Sequence, residues 1–267
     1  VALARPQGTV DLPREEGTVI LAFDVSGSMA ATDLQPTRLA AAKAAATDFV
    51  QRQPSSVVIG VVAFSDSGIT VQQPTSDQAS VLAAINRLSP QKGTAVGQGI
   101  LASLRAIALE VAGPTVNYYS NRSPAPTASP TPVPAGYHAP AAIVLLTDGD
   151  NNENPDPVSV AQAAANQGVR IYTVGIGSVA GTNLDLNGFQ VHTQLDAATL
   201  QQIAQLTGGT YYAAADAASL KSIYDNLDTQ LVVKPEQLEL TALFAGAGIL
   251  FLILGAGLSL AWLGRLP

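Results

Sequence analysis

The chain has 267 residues, with 13 Lys and Arg against 20 Asp and Glu, and a net charge of −7. It contains no cysteine and only two histidines, which excludes a disulfide scaffold, a thiolate metal site and a typical zinc cluster. No nucleic-acid partner is expected, because neutralising phosphates requires clustered Lys and Arg, and this acidic chain has no basic run.

Apolar runs and helical patterns alternate through residues 17–232. Four runs that are apolar on both faces and two shorter ones predict strands at 18–24, 57–64, 69–73, 142–147, 169–175 and 210–213. Amphipathic patterns predict helices at 37–51, 77–88, 95–111, 157–167, 196–206 and 216–231. This alternation predicts an α/β fold, with a doubly wound, Rossmann-like, mostly parallel sheet flanked by helices.

Two segments interrupt the alternation. Residues 113–140 are rich in proline, which fixes φ and removes backbone donors, and they are predicted to form an extended or disordered surface loop. The pair Asn187-Gly188 lies between alternating residues, a pattern typical of tight hairpins. We therefore expect a small β-hairpin near 183–194.

The two ends of the chain suggest a membrane protein. Residues 240–264 carry no formal charge and exceed the roughly 20 apolar residues of a membrane span, so they predict a C-terminal transmembrane helix in the lipid bilayer. A buried core helix is the alternative. Residues 233–239 would then be a linker and 265–267 a tail. The chain begins with Val1 and an apolar stretch, so we expect residues 1–16 to follow a transmembrane helix that this sequence lacks.

Oxygen ligands follow the predicted strands at their carboxyl ends, where doubly wound sheets carry their sites. Asp24 ends the first strand, Ser26 and Ser28 come next, Thr94 precedes the third helix, and Asp148 follows the strand at 142–147. Two carboxylates and three hydroxyls, without His or Cys, suit Mg²⁺, with Mn²⁺ or Ca²⁺ as alternatives. The sequence therefore predicts a metal centre, and an open coordination position there can accept a partner's carboxylate.

These residues resemble the metal-ion-dependent adhesion site (MIDAS) of von Willebrand factor A (VWA) domains. The resemblance covers residues 17–232 and rests on Asp24-Val25-Ser26-Gly27-Ser28, Thr94 and Thr147-Asp148-Gly149. It implies that the three hydroxyls and the two aspartates bind Mg²⁺ directly or through water. It also implies a protein ligand that supplies an Asp or Glu carboxylate to the free position.

Other segments are similar to bacterial membrane-anchored VWA proteins of the BatA/BatB aerotolerance type. They are Arg5-Pro6 and residues 28–33, 36–38, 150–153, 168–177, 206–212 and 265–267, together with the closing apolar helix. The resemblance implies a domain on the extracytoplasmic side of the cell membrane. It further implies a role in assembling or maintaining an envelope complex or a MoxR-ATPase-associated complex, with other membrane VWA proteins and a MoxR-type AAA+ ATPase as partners.

Two other functions stay open at this stage: a metal-dependent hydrolase, and a scaffold with a non-functional metal site. The sequence has no nucleophile elbow, dinucleotide loop or phosphate loop, which disfavours an enzyme. Asp33 is interpreted either as part of a second layer around the metal or as a solvated loop or helix-entry residue. Arg38 and Lys43 are interpreted as solvated helix positions.

Overall fold

The structure is a computed structural model that describes residues 7–10, 17–112, 139–178, 180–186, 189–214, 236–239 and 254–258. The chain divides into two compact units, one formed by Glu15–Val232 and the other by Val1–Arg14 with Val233–Pro267. The larger unit carries every predicted metal ligand and is described first.

Strands and helices alternate in the larger unit as the apolar pattern predicts. Its strands are β2 Thr18–Asp24, β3 Val58–Phe64, β4 Gly68–Thr75, β5 Ala141–Thr147, β6 Arg170–Ile176, β7 Thr182–Leu186, β8 Phe189–Thr193 and β9 Tyr211–Ala214. Its described helices are α1 Arg38–Arg52, α2 Gln78–Arg87, α3 Val96–Ala112, α4 Pro157–Asn166 and α5 Ala197–Thr207, together with a 3₁₀ turn at Gly27–Ala30. The predicted bounds are correct to within two residues for each of these helices and for the six sheet strands.

Six strands form the main sheet in the order β4-β3-β2-β5-β6-β9. Strand β2 pairs in parallel with β3 and β5, and β6 pairs in parallel with β5 and β9. Only the edge strand β4 is antiparallel, to β3. The prediction of a mostly parallel α/β sheet flanked by helices is confirmed, and the carboxyl ends of β2 and β5 lie side by side at its centre.

Each face of the sheet packs against its own helices. Phe23 belongs to a core cluster with Phe49 of α1 and Ile85 of α2, whereas Ala22 belongs to a second cluster with Ile100 of α3 and Ile203 of α5. Neighbouring residues of a strand point to opposite faces, so β2 contributes to both clusters and is buried along its whole length. This double cover explains why the central strands are apolar without alternation.

Short polar side chains begin the helices. Asp77 accepts a hydrogen bond from the Ala79 backbone N–H, which confirms its predicted role at the start of α2. Thr37 caps α1 by accepting from Ala40, and Asp196 caps α5 by accepting from Thr199. The caps at Thr37 and Asp196 matter for the site. Thr37 directly precedes Arg38, which contacts Asp148, and the backbone N–H of Asp196 donates to the carbonyl oxygen of Asp148 at 2.8 Å.

The predicted hairpin is confirmed. Strands β7 and β8 pair antiparallel from Thr182 opposite Thr193 to Leu186 opposite Phe189, while the turn residues 187–188 lie outside the described part of the chain. The predicted proline-rich loop, apart from residues 139–140, and the predicted helix at 216–231 also lie outside it.

The smaller unit contains an unpredicted strand pair. Strand β1, Gln7–Val10, pairs antiparallel with β10, Glu236–Glu239, within the segments expected to be an N-terminal extension and a linker. Four-residue strands are too short to show a recognisable period. The predicted transmembrane helix 240–264 lies outside the described residues except at 254–258, which are helical. Among the helices described, none combines the length and the apolar character needed to cross a membrane.

Candidate metal centre

The predicted ligands lie at the carboxyl ends of the two central strands. Asp24 is the last residue of β2, and Asp148 directly follows β5. Both aspartates are fully buried, and Ser26 is 1% exposed. Burial of two carboxylates at one edge of a sheet is costly unless other groups compensate them. Their surroundings therefore decide what the site can do.

Asp24 is held by one donor on each carboxylate oxygen. The backbone N–H of Ser26 donates to Oδ1 at 2.7 Å, and the hydroxyl of Thr147 donates to Oδ2 at 2.6 Å. Thr147 in turn accepts from the backbone N–H of Gly149 at 3.0 Å. The side chain of Asp24 is thus oriented by both central strands and by the loop after β5.

Asp148 has a larger set of donors. Its Oδ2 accepts from the hydroxyl of Thr193 at 3.0 Å and from Nη1 of Arg38 at 3.2 Å. Its Oδ1 accepts from the backbone N–H of Asp150 at 3.3 Å. Ser28 also hydrogen-bonds to this carboxylate. Contacts therefore reach Asp148 from the first loop, from α1 and from the hairpin.

The two serines connect the aspartates. Their hydroxyl oxygens lie 2.9 Å apart, so one hydroxyl donates to the other. Because Ser26 lies against Asp24 and Ser28 against Asp148, the four residues form one hydrogen-bonded cluster. The structure therefore brings together four of the five predicted ligands by direct side-chain or backbone contacts.

Thr94 lies in the loop before α3 and is 5% exposed. Its carbonyl oxygen accepts from the backbone N–H of Asn152 at 3.0 Å, and the Asn151 side chain accepts from the backbone N–H of Val96 at 2.9 Å. These contacts tie the Thr94 loop to the loop that follows Asp148. The fifth predicted ligand thus lies on a loop that is bonded to the rest of the site.

The electrostatics of the cluster favour a cation. Burial, and after it the charge of Asp148, raises the pKa of Asp24 to about 7, although hydrogen bonds from Ser26 and Thr147 act in the opposite direction. Burial also raises the pKa of Asp148, against the hydrogen bonds from Ser28 and Thr193 and the charge of Arg38. Burial disfavours the ionised form of both carboxylates, and a positive charge beside them would stabilise that form. Carboxylate and hydroxyl oxygens therefore fit a hard divalent cation.

This ligand set differs from sites built on three or more acidic or imidazole side chains. The described residues contain no group of three His, Cys, Asp or Glu placed to hold a metal. Here the remaining oxygens would come from hydroxyls, which the sequence predicts as ligands of Mg²⁺, Mn²⁺ or Ca²⁺.

Arg38 corrects the sequence-based interpretation. It was expected to be solvated, but its side chain is fully buried. Its Nε and Nη2 donate to the two carboxylate oxygens of Asp33 at 2.8 and 2.7 Å, and its Nη1 contacts both Asp148 and Thr193. The interpretation failed because Arg38 is the first residue of α1, and the helical pattern does not reveal which acids meet that end of the helix.

Two neighbouring interpretations change with it. Asp33 pairs with Arg38, which contacts the predicted ligand Asp148, so the contacts of Asp33 are compatible with a role around the predicted metal ligands. Lys43 is half-buried, and its Nζ donates to the carbonyls of Asn86 and Leu88 at 2.9 and 3.1 Å, so it is not simply a solvated residue. Thr193 was missed, because a hydroxyl inside a predicted hairpin carries no signal of its contact with Asp148.

Gly177, directly after β6, makes room for the Arg38 guanidinium. Its φ is +119°, and a Cβ at this position would lie 2.6 Å from Cζ of Arg38. A side chain here would meet both a disfavoured backbone conformation and a steric clash. The buried arginine and this glycine therefore form one structural feature.

Comparison with known proteins agrees with the fold. Residues 19–151 match the von Willebrand factor type A domain family, so the chain contains a VWA domain. Over the whole chain it is 33% identical to a UPF0353 protein of Mycobacterium leprae strain Br4923, of which it covers 76%. The chain belongs to the UPF0353 protein family.

Two solved structures of aerotolerance-related or BatB proteins are also similar to this chain. The chain is similar to an aerotolerance-related membrane protein of Bacteroides fragilis, with 25% identity, a TM-score of 0.63 and coverage of 80% of this chain and 99% of that one. It is likewise similar to BatB of Bacteroides thetaiotaomicron, with 25% identity, a TM-score of 0.61 and coverage of 80% and 98%. The resemblance to BatB-type proteins is therefore confirmed.

A more distant neighbour shares the fold alone. Proximal thread matrix protein 1 of the mussel byssus is 18% identical, with a TM-score of 0.57 and coverage of 87% of this chain and 50% of that one. That protein has been solved with zinc in its MIDAS motif. Metal binding at a MIDAS is thus observed within this fold.

Proposed function

We propose that this protein is a divalent-cation-dependent protein-binding domain. Asp24, Ser26, Ser28, Thr94 and Asp148 would hold the cation, with Mg²⁺ as the expected ion and Mn²⁺ or Ca²⁺ as alternatives. The observation that carries the proposal is the hydrogen-bonded cluster of two fully buried aspartates and two serine hydroxyls at the ends of the central strands. When bound, the cation supplies a Lewis-acidic position that can accept one further oxygen ligand.

The expected partner is a protein that offers an Asp or Glu carboxylate to that position. The chain has a net charge of −7, and exposed Asp150 and Glu153 follow Asp148 in the same loop. These charges repel an acidic ligand unless a cation neutralises the buried pair. Binding should therefore require the metal, and a partner that loses its acidic residue should no longer bind.

We also propose that the domain is not an enzyme. Its buried hydroxyls and carboxylates already hydrogen-bond to one another, and Thr147, Thr193 and Arg38 orient the carboxylates. A hydrolase would need a further group that moves a proton at the bound substrate. Turnover of a phosphate or peptide substrate by the metal-loaded protein would contradict this part of the proposal.

Membrane anchoring belongs to the proposal as well. The apolar segment 240–264 would hold the domain on the extracytoplasmic side of the cell membrane, near other membrane VWA proteins. A MoxR-type AAA+ ATPase would then be an indirect partner in assembling or maintaining an envelope complex. Support comes from the sequence of that segment and from the B. fragilis neighbour, which is described as a membrane protein. Protease protection in intact cells against spheroplasts tests the orientation.

Titration calorimetry with Mg²⁺ and Mn²⁺ tests the metal centre. The unmodified protein should bind one cation, whereas Asp24→Asn and Asp148→Asn should each lose most of the affinity. Asp156→Asn is the matched control, because Asp156 is exposed, caps α4 and keeps its capping oxygen as asparagine. Absence of cation binding by the unmodified protein, or full binding by Asp24→Asn, would contradict the proposal.

A further inference from the structure

Arg38 lies between two carboxylates, of which only one belongs to the metal centre. Its Nη2 is 2.7 Å from Oδ2 of Asp33, and its Nη1 is 3.2 Å from Oδ2 of Asp148. The guanidinium is fully buried, so water does not screen these contacts as it does at the protein surface. Arg38 therefore forms part of the electrostatic environment of the site.

The surrounding structure holds the guanidinium in place. The Thr37 cap fixes the start of α1, Thr193 contacts Nη1 at 3.3 Å, and Gly177 lies against Cζ on the strand side. The planar group uses Nε and Nη2 together on Asp33, which a lysine ammonium cannot reproduce. The Arg38 guanidinium therefore places a fixed positive charge close to the predicted metal ligands.

The charges of this cluster sum to −2. When a cation is bound and the carboxylates are ionised, Asp24, Asp148 and Asp33 contribute three negative charges, and Arg38 contributes one positive charge. A dication balances that charge, whereas a trication leaves a buried excess of one positive charge. Buried charge imbalance is expensive because the local dielectric constant is far below that of water.

We propose that Arg38 is a specificity-determining residue that sets the charge of the metal centre and thereby selects divalent over trivalent cations. It acts through Asp148 and not by binding the ion, so it is a positioning residue. This inference rests on the proposed metal site and goes further by assigning its charge selectivity to a residue outside the ligand set.

The test compares Ca²⁺ with Tb³⁺, two ions of similar size that differ by one charge, in calorimetric titrations of the full chain. A displaced Asp148 side chain should lower the affinity for both ions alike. The ratio of the two affinities therefore reports the effect of the site's charge. In Arg38→Gln the ratio of Tb³⁺ to Ca²⁺ affinity should rise about tenfold or more, as expected for one unit of charge a few ångströms away. In Arg38→Lys the charge remains, so both affinities should fall while the ratio stays near that of the unmodified protein.

Asp33 provides an independent variant that leaves Arg38 in place. Its side chain is 15% exposed, so Asp33→Asn is a milder change than any substitution at Arg38. The Asp33→Asn substitution makes the site one charge less negative, so the ratio of Tb³⁺ to Ca²⁺ affinity should fall severalfold. The double variant Asp33→Asn with Arg38→Gln restores a charge of −2, and its ratio should return toward that of the unmodified protein. Arg52→Gln, at the exposed end of the same helix, is the control.

The outcomes separate the two proposals. If the unmodified protein binds neither ion, the metal site itself is wrong, and the selectivity inference is wrong with it. If it binds Ca²⁺ but the ratio is the same in Arg38→Gln and Asp33→Asn as in the unmodified protein, only the selectivity inference is overturned. If Arg38→Gln does not fold, the Asp33→Asn ratio decides alone: a fall supports the inference and an unchanged ratio overturns it.

Discussion

The hydroxyl of Thr147, the last residue of β5, donates a 2.6 Å hydrogen bond to Oδ2 of Asp24, the last residue of β2. Both residues are fully buried, and the two strands are adjacent and parallel. This bond joins the ends of the central strands and orients a predicted metal ligand without occupying the hydroxyls of Ser26 and Ser28.

Replacing Thr147 by valine should therefore destabilise the protein. The variant keeps the shape of the side chain but removes the donor to a buried carboxylate, which should lower the free energy of unfolding by about 2 kcal/mol. Urea denaturation followed by circular dichroism measures the change. Thr199→Val is the matched control, because its hydroxyl makes a bond of the same length to Asp196 at a half-buried position. That variant should lose less than about 1 kcal/mol, and equal losses would contradict the argument from burial.

Stability without metal should depend on pH in an unusual direction. The pKa of Asp24 is raised from 3.8 to about 7, mainly by burial, so the folded state binds a proton that the unfolded state has released. Stability should consequently fall as pH rises from about 4.5 to 7, and Asp24 should contribute at most roughly 4 kcal/mol of this fall at about 1.4 kcal/mol per pKa unit. The raised pKa of Asp148 acts in the same direction. Chemical denaturation in EDTA at a series of pH values measures this slope.

Two comparisons show whether Asp24 causes this pH dependence of stability. The pKa of Asp33 is lowered: Arg38 stabilises its charged form against the opposing effect of burial, so its contribution changes below pH 4, outside that window. Asp24→Asn should reduce the downward slope and leave the part that the raised pKa of Asp148 contributes. A stability that rises steadily between pH 4.5 and 7 in EDTA would show that Asp24 does not hold a proton in the folded protein.

Thr193 should connect the hairpin to the metal centre. Its hydroxyl donates to Asp148 at 3.0 Å and lies 3.3 Å from Nη1 of Arg38. In Thr193→Val, backbone amides of β7 and β8 should exchange hydrogen severalfold faster, because local opening of the hairpin no longer breaks these contacts. Hydrogen exchange with mass spectrometry measures the rates. Thr182→Val, at the residue opposite in the strand pair, retains both contacts and should change them less.

Gly177 should tolerate no side chain. Alanine at a φ of +119°, with its Cβ 2.6 Å from Cζ of Arg38, should displace the guanidinium and cost about 2–4 kcal/mol of unfolding free energy. Gly208→Ala is the comparison, because Gly208 ends α5 in a left-handed conformation with a φ of +69°. That change should cost about 1 kcal/mol. Thermal or urea unfolding of both variants tests the difference, and equal losses would mean that the contact with Arg38 contributes nothing.

Prediction from the sequence worked best where one chemical property sufficed. Strand β2 is apolar on both faces, so its burial between two helix layers could be recognised directly. Asp24, Ser26, Ser28 and Asp148 were located because the carboxyl ends of parallel strands meet at one edge of the sheet. The Asn187-Gly188 pair likewise placed the hairpin correctly. The strands of the smaller unit were missed, because four residues do not establish a period.

The sequence by itself determined the order of the elements, the central strands and the oxygen-only chemistry of the predicted ligands, since these depend on local apolar pattern and residue chemistry. Tertiary structure alone decided which groups surround those ligands. Arg38 is 110 residues from Asp148 in the chain, and Thr193 is 45 residues from it, yet both contact the same oxygen. Charge around a buried carboxylate depends on distance in space, which the spacing of residues along the chain does not report.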